Sequence, residues 1–173
     1  MKLVRFFLNF LPSKTAYAHC DIPCGIYDPH NMQMAAHTII RMTQLINEVK
    51  PSSAEPPFDE RKRIISQLSR LTHVKEDHGK LLEEEVGTLD NDYFKPEHHA
   101  KFPKLRSLIE KTIKASIKAR QEIDMDSAEE ALAGTQEIAE IFFKTKGVTP
   151  VRVKSVYPTE REIVTHTSEP QSK

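Results

Sequence analysis

The sequence predicts an all-α fold, an antiparallel up-and-down four-helix bundle over residues 30–146 preceded by a hook over residues 19–29. Four segments carry apolar residues at three- and four-residue steps, the spacing of one helix face. The connections between these segments are short, which favours antiparallel neighbours. No pair of alternating strands interrupts them. A chain of 173 residues fits one domain with a buried core.

The first predicted helix begins at Asp28 and Pro29. Aspartate is a good N-cap, and proline suits the first helical position because an amide hydrogen there would lack a partner anyway. The helix ends at a polar, proline-rich linker over residues 51–57. Its stripe consists of Ala36, Ile39, Ile40, Thr43, Leu45 and Ile46.

The second predicted helix is long and is followed by a connecting loop from Gly87 to Pro103. Gly79 lies inside this helix at a mild cost. Its stripe consists of Ile64, Ile65, Leu68, Leu71, Val74, His78, Leu81 and Leu82.

The third and fourth predicted helices follow that loop. Ser127 and Glu130 fit a capping box, in which the two side chains satisfy amides at a helix start. The third stripe consists of Leu105, Leu108, Ile109, Thr112, Ile113, Ser116 and Ile117. The fourth consists of Ala131, Leu132, Thr135, Ile138, Ala139 and Phe142.

A C-terminal extension over residues 147–173 differs in character from the helical part. Residues 151–154 alternate as a strand does, whereas residues 165–173 are polar. We leave this extension unassigned, with an arm over residues 148–157 on a neighbouring subunit as one option.

The charge balance excludes the broad classes that depend on one sign of charge. Lysine plus arginine number 25, equal to aspartate plus glutamate, so nothing in the total indicates nucleic acid or an anionic membrane as a partner. No apolar run approaches the roughly 20 residues needed to cross a bilayer. We therefore expect a soluble protein.

Residues 1–18 have the features of a cleaved leader. Positive charges precede a short apolar stretch, and Ala16 and Ala18 provide the small residues that a signal-type peptidase accepts. Cleavage after Ala18 would make His19 the new N-terminus. The apolar stretch is marginal for secretion, so a dedicated maturation protease is the other option.

A free His19 gives the hook a set of metal donors. The terminal amine, the Cys20 amide nitrogen and the Cys20 and Cys24 sulfurs could lie in one plane, with the His19 imidazole above it. Planar nitrogen and sulfur donors favour nickel or copper. Zinc is less favoured because it normally takes four side chains in a tetrahedron.

Other interpretations of the two cysteines stay open at this point. Cys20 and Cys24 could form a disulfide in an exported protein, although a bridge that closes so small a loop stabilises a long chain little. Zinc binding or a redox dithiol is a further alternative. The protein would then be a non-catalytic metal-binding or disulfide-bearing helical protein.

The segment from His19 to Asp28 resembles the hook of the nickel superoxide dismutase family, whose mature chain begins His-Cys-Asp-x-Pro-Cys-Gly-x-Tyr-Asp. Residues 92–96, Asp-Tyr-Phe-Lys-Pro, are similar to the loop that the family places over the metal, and residues 101–105 continue the similarity. The resemblance extends over about residues 19–146.

The resemblance implies an enzyme that disproportionates superoxide to dioxygen and hydrogen peroxide by cycling Ni(II)/Ni(III), with one nickel per subunit. It implies His19, Cys20 and Cys24 as metal ligands, and Tyr27, Tyr93 and Asp21 as catalytic residues around them. It also implies a homohexamer and a protease that removes the leader. Because the family's leader is commonly removed inside the cell, we expect a cytoplasmic protein, with export as the alternative.

The sequence departs from the family at the support of the axial histidine. Where the better-known members have a glutamate and an arginine, an ungapped alignment from each motif places Ala35 and His78. A metal-bound histidine usually donates its second ring nitrogen to an acceptor. We therefore expect His78 or a backbone carbonyl to be that acceptor.

Overall fold

The computed structural model describes residues 25–170, and their side chains through residue 167. The chain is mostly helical, as predicted, and ends in a pair of strands. The helices are α1 (His30–Glu48), α2 (Phe58–Thr88), α3 (Pro96–Lys101), α4 (Leu105–Gln121) and α5 (Met125–Thr145), with a π-helical turn (Leu89–Tyr93) after α2. The strands are β1 (Val148–Lys154) and β2 (Glu162–Pro170).

Each of the four long helices packs against two of the others. Helix α1 packs on α2 and α5, and α4 packs on the same two helices from the opposite side. Apolar side chains from all four fill one continuous core between them. The most completely buried members are Met32, Ala36, Ile39, Ile40, Leu82, Val86, Leu105, Ala119, Ala128, Ala131, Ile138 and Ala139.

Helix α1 begins one residue later than predicted. Pro29 is the N-cap, and the Asp28 side chain accepts a hydrogen bond from the backbone N–H of His30 at 2.7 Å. Asp28 thus satisfies one of the unpaired amides at the helix start, from a position before the cap. The predicted stripe of α1 is confirmed from Ala36 to Ile46, because its isoleucines at 39, 40 and 46 are buried.

Helix α2 is buried only in its C-terminal half, which corrects the predicted stripe. Its buried residues are Lys75, Gly79, Leu82 and Val86, whereas Ile65 is 64% exposed. Helix α2 has 31 residues and α4, one of its two long neighbours, has 17. The first turns of α2 therefore carry apolar residues that residues 25–170 leave exposed.

The predicted connecting loop from Gly87 to Pro103 is largely helical. Helix α2 continues to Thr88, a π-helical turn follows, and α3 begins at Pro96, where proline is tolerated in the first turn. The wider π-helical turn closes with the Phe94 N–H donating to the Leu89 carbonyl at 2.8 Å. The sequence signals for a loop, Gly87 and two prolines, mark the helix ends here rather than a long irregular segment.

The start of α5 also differs from the prediction. The N-cap is Asp124, whose carboxylate accepts from the Ser127 backbone N–H at 3.0 Å, so Ser127 lies inside the helix rather than at its cap. Lys118 beside the Asp124 carboxylate, together with the Ser127 amide, lowers the pKa of Asp124 to about 2. Because aspartate and serine both cap well, the pattern alone placed the helix start three residues late.

The C-terminal extension forms an antiparallel β-hairpin that packs on the helices. Strand β1 pairs with β2, with Arg152 opposite Val164. Val164 is buried in the core, and Arg161 and Arg152 form ion pairs with Glu129 and Glu140 on α5. The all-α prediction therefore omitted a hairpin that belongs to the packed structure.

Across residues 25–170, no helix is both long enough and apolar enough to span a lipid bilayer.

Candidate metal centre

The four hook residues with predicted metal or ordering roles, His19, Cys20, Asp21 and Cys24, lie outside the described residues. The described chain begins at Gly25, whose φ of +100° is a conformation that glycine adopts readily. Among residues 25–170, no group of three or more His, Cys, Asp or Glu side chains is arranged to hold a metal ion.

The two predicted active-site tyrosines lie against each other. The rings of Tyr27, from the hook, and Tyr93, from the π-helical turn, are 5.4 Å apart between centroids and are tilted by 54°. Both side chains are partly buried against the core. The two sequence blocks that carry the family resemblance therefore meet at one place in the structure.

The phenol of Tyr93 has a defined hydrogen-bond direction. Its oxygen lies 2.6 Å from Thr145 Oγ1, and the Thr145 hydroxyl donates to the Phe142 carbonyl at 2.6 Å. A threonine hydroxyl has one hydrogen, so Tyr93 is the donor in the first bond. The lone pairs of the Tyr93 oxygen remain able to accept a hydrogen bond.

Aromatic rings hold Tyr93 on its other sides. The His98 ring stacks on it at 5.5 Å with planes 13° apart, and Phe142 contacts it at 4.7 Å. Contacts of this kind fix the plane of a ring. The Tyr93 ring is therefore held in a fixed position against Tyr27, and we call these two rings the tyrosine wall.

Two lysines place positive charge beside this wall. Lys146 Nζ lies 4.7 Å from the centre of the Tyr93 ring, a cation–π contact. Lys95 Nζ donates to the Asp92 carbonyl at 2.8 Å, which holds it to the same turn. Sequence analysis missed Thr145 and Lys146, because nothing in the sequence shows that the end of α5 meets residues 92–96.

His78 lies on α2 at a level near Ala35 on α1. Helices α1 and α2 are antiparallel, because Asn31 Nδ2 donates to Glu85 Oε1 at 3.1 Å while Met42 lines a groove with Val74. His78 falls between these two levels. Ala35 is buried, and its methyl group can neither donate nor accept a hydrogen bond.

The tautomer of His78 follows from its own helix. His78 Nδ1 lies 2.9 Å from the Val74 carbonyl, which can only accept, so Nδ1 carries the proton. In a neutral imidazole the other nitrogen, Nε2, is then an acceptor. In its neutral form, His78 therefore presents Nε2 as the acceptor for a hydrogen bond.

The chain matches a known protein family over most of its length. The family described as "Nickel-containing superoxide dismutase" matches residues 14–146. The matched range includes the hook and the five helices described between residues 25 and 170, and it ends before β1.

Individual relatives and solved structures agree with this match. The nickel superoxide dismutase of Streptomyces coelicolor is 34% identical over 137 residues, which cover 79% of this chain and 95% of that protein. The enzyme of Streptomyces seoulensis is 31% identical over the same shares of the two chains. A native nickel superoxide dismutase structure superposes with a TM-score of 0.61 at 31% identity, over 74% of this chain and 99% of that one.

Proposed function

Because the chain belongs to the nickel-containing superoxide dismutase family, we propose that it disproportionates superoxide to dioxygen and hydrogen peroxide with one nickel ion bound per chain. The contact between Tyr27 and Tyr93 is the observation that carries this proposal beyond the family match. It joins the hook to the turn that bears the second family motif. The competing interpretation, a non-catalytic helical protein, would treat the same contact as ordinary aromatic packing and predicts no bound nickel.

The proposed ligands are His19, Cys20 and Cys24, with the leader removed after Ala18. An amine, an amide nitrogen, two thiolates and an imidazole fit nickel by the chemistry of the donor set. When bound, nickel with such anionic donors supplies a centre that gains and loses one electron in turn. The two thiolates are themselves open to oxidation by peroxide, and coordination protects them.

The described residues supply the surroundings of that centre. The wall formed by Tyr27 and Tyr93 excludes large molecules, and the Tyr93 oxygen can accept from an ordered water while its hydrogen points to Thr145. Lys146 and Lys95 make the approach favourable for an anion such as superoxide. Asp21 is proposed to order the hook through hydrogen bonds to its backbone.

His78 is proposed to orient the axial histidine. Its Nε2 is the acceptor nitrogen, and its level on α2 is close to that of Ala35, where better-known members have a glutamate. A neutral acceptor supports a ligand less strongly than a carboxylate does. The orientation of His19 in this chain therefore depends more on how the hook is attached to the helices.

The helical part is proposed to be an antiparallel up-and-down four-helix bundle in a homohexamer. The packing of α1, α2, α4 and α5, each against two others, supports the bundle. The exposed apolar face on the first half of α2, with Phe58 at 65% and Ile65 at 64%, offers an area for subunit contact. Cytoplasmic maturation by a leader-removing protease completes the proposal, with export as the alternative.

The test is to measure nickel content and superoxide removal in the same preparations. Protein whose N-terminus is His19 should bind one nickel per chain and remove superoxide, and Cys24→Ser should abolish both. The nickel-free protein and a zinc-loaded sample are the controls. Equal superoxide removal by the nickel-free protein would overturn the proposal.

A further inference from the structure

The C-terminal hairpin lies outside the part of the chain that matches the family. The match ends at residue 146, and β1 begins at Val148. The hairpin is nevertheless built into the helical core, with Val164 buried and Thr159 almost fully so. Because the hairpin is packed into the core, it constrains the helices that it contacts within the part of the chain that matches the family.

Strand β2 runs along α1 toward the hook. At its start, the Glu162 carbonyl accepts from Gln136 Nε2 of α5 at 2.7 Å. Farther along, Val164 bonds to α1, and the His166 ring lies 4.8 Å from that of Phe143. The strand thus passes from His37 in the middle of α1, whose ring lies 3.3 Å from the Glu162 carbonyl, to the N-terminal end of α1, where the hook ends.

Gln33 joins this strand to the last residue before α1. Its Oε1 accepts from the Val164 N–H at 2.7 Å, and its Nε2 donates to the Val164 carbonyl at 3.1 Å and to the Pro29 carbonyl at 3.2 Å. The Gln33 side chain is completely buried. Buried amides with all these partners hold a fixed geometry, because breaking any of them leaves an unpaired polar group.

The hairpin also lines a cavity beside the C-terminal end of the hook, at Asp28. A cavity of about 540 Å³ lies between the two, lined by Asp28, His30, Phe143 and His166 among others. Asp28 at the end of the hook and His166 of β2 therefore line the same cavity.

We propose that the C-terminal hairpin is a positioning element for the hook, and that Gln33 is the positioning residue that transmits its hold to Pro29. This inference rests on the proposed function. The hairpin gives this chain a second means of fixing the hook. This chain has Ala35 where better-known members have the glutamate that orients the axial histidine. Gln33 is not one of the proposed ligands, so its effect is on how firmly those ligands are held.

A pair of glutamine variants tests the inference, because both side chains bond to the backbone of β2 but only one reaches Pro29. Gln33→Met keeps the size and helix propensity and removes all three bonds, whereas Gln136→Met removes the bond to Glu162 and one from Arg152. Each mature protein is loaded with nickel, and its release to excess chelator is followed together with the electron paramagnetic resonance spectrum of the oxidised nickel. Unfolding of each nickel-free protein measures the purely structural cost.

We expect Gln33→Met to speed nickel release by about tenfold, the effect of losing a supporting shell around a ligand. Its resonance spectrum should shift, while Gln136→Met should keep the wild-type spectrum and release rate despite a similar loss of stability. Identical release rates and spectra for the two variants would overturn the inference. If Gln33→Met does not fold, Gln33→Asn serves, because its amide is neutral and one methylene shorter, so it cannot reach both Pro29 and Val164.

Wild-type protein separates this inference from the proposed function. If wild-type protein binds no nickel or removes no superoxide, the proposed function itself fails. If wild-type protein does both and the two glutamine variants behave alike, only the role of the hairpin fails.

Discussion

The crossing of α4 and α5 depends on the absence of a side chain at Gly134. A Cβ atom built there would lie 2.1 Å from Thr112 Oγ1, 2.9 Å from Thr112 Cβ and 3.0 Å from Thr112 Cγ2. Thr112 is buried and its hydroxyl donates to the Leu108 carbonyl at 2.8 Å, so it cannot move aside without losing that bond. Gly134→Ala therefore forces the two helices apart.

Two terms of opposite sign set the size of the effect. Overpacking of a tight core costs up to about 3 kcal/mol, and a contact this short belongs at the upper end. Alanine in place of glycine returns about 1 kcal/mol of helix propensity. The free energy of unfolding should therefore fall by about 2 kcal/mol, and Tm by roughly 4–8 °C.

Urea unfolding of nickel-free protein, followed by circular dichroism at one fixed protein concentration, measures this difference. Gly87→Ala is the matched control, because its Cβ would meet only Asn91 Nδ2 at 4.0 Å. That variant should gain about 0.5–1 kcal/mol from helix propensity alone. Adding Thr112→Ala to Gly134→Ala should restore part of the loss, since it removes two of the three close atoms. If Gly134→Ala is as stable as Gly87→Ala, the close crossing is refuted.

Three further predictions concern buried polar groups and the site. Lys75→Met should lower the free energy of unfolding by about 2–3 kcal/mol in the same urea assay. The reason is that the buried Lys75 Nζ donates to the carbonyls of Ala119, Arg120 and Glu122 at the end of α4. An unchanged urea midpoint would contradict this. Burial lowers the pKa of His37, whose ring bonds to Thr159 at 2.6 Å, so the unfolded chain binds the proton more tightly. The contribution of His37 to the free energy of unfolding should be complete above about pH 6.5 and should decrease as the pH falls below that value. His37→Gln should therefore flatten this part of a plot of unfolding free energy, measured with urea, against pH. His78→Ala should leave nickel bound but lower turnover, and unchanged turnover at full nickel content would dismiss His78 as the acceptor.

The helices were predictable because their faces follow from local spacing. The stripes of α1, α4 and α5 hold in the structure, since an apolar residue every three or four positions is buried by any neighbour that packs there. The spacing of α2 was just as regular, but none of residues 58–73 is buried by the described part of the chain. Spacing shows that a helix has an apolar face and does not show what covers it.

The hairpin and the far wall of the site could not be predicted in the same way. The contact of Val164 with Gln33 joins residues 131 positions apart, and the bond of Tyr93 to Thr145 joins residues 52 apart. Neither pair has a sequence signal, because each depends on how finished helices pack. The resemblance implied that Tyr27 and Tyr93 lie near one metal; their rings are in contact, and their role beside a metal stays a prediction.

The identity of the N-terminal residue tests the central claim most directly. Mature protein that begins at His19 should lose both bound nickel and superoxide removal when its terminal amine is acetylated, because the amine is a proposed ligand. Peptide mass spectrometry verifies the acetyl group, and the untreated protein carries one nickel per chain as reference. Full activity of the acetylated protein, or of a protein that still begins at Met1, would contradict the account.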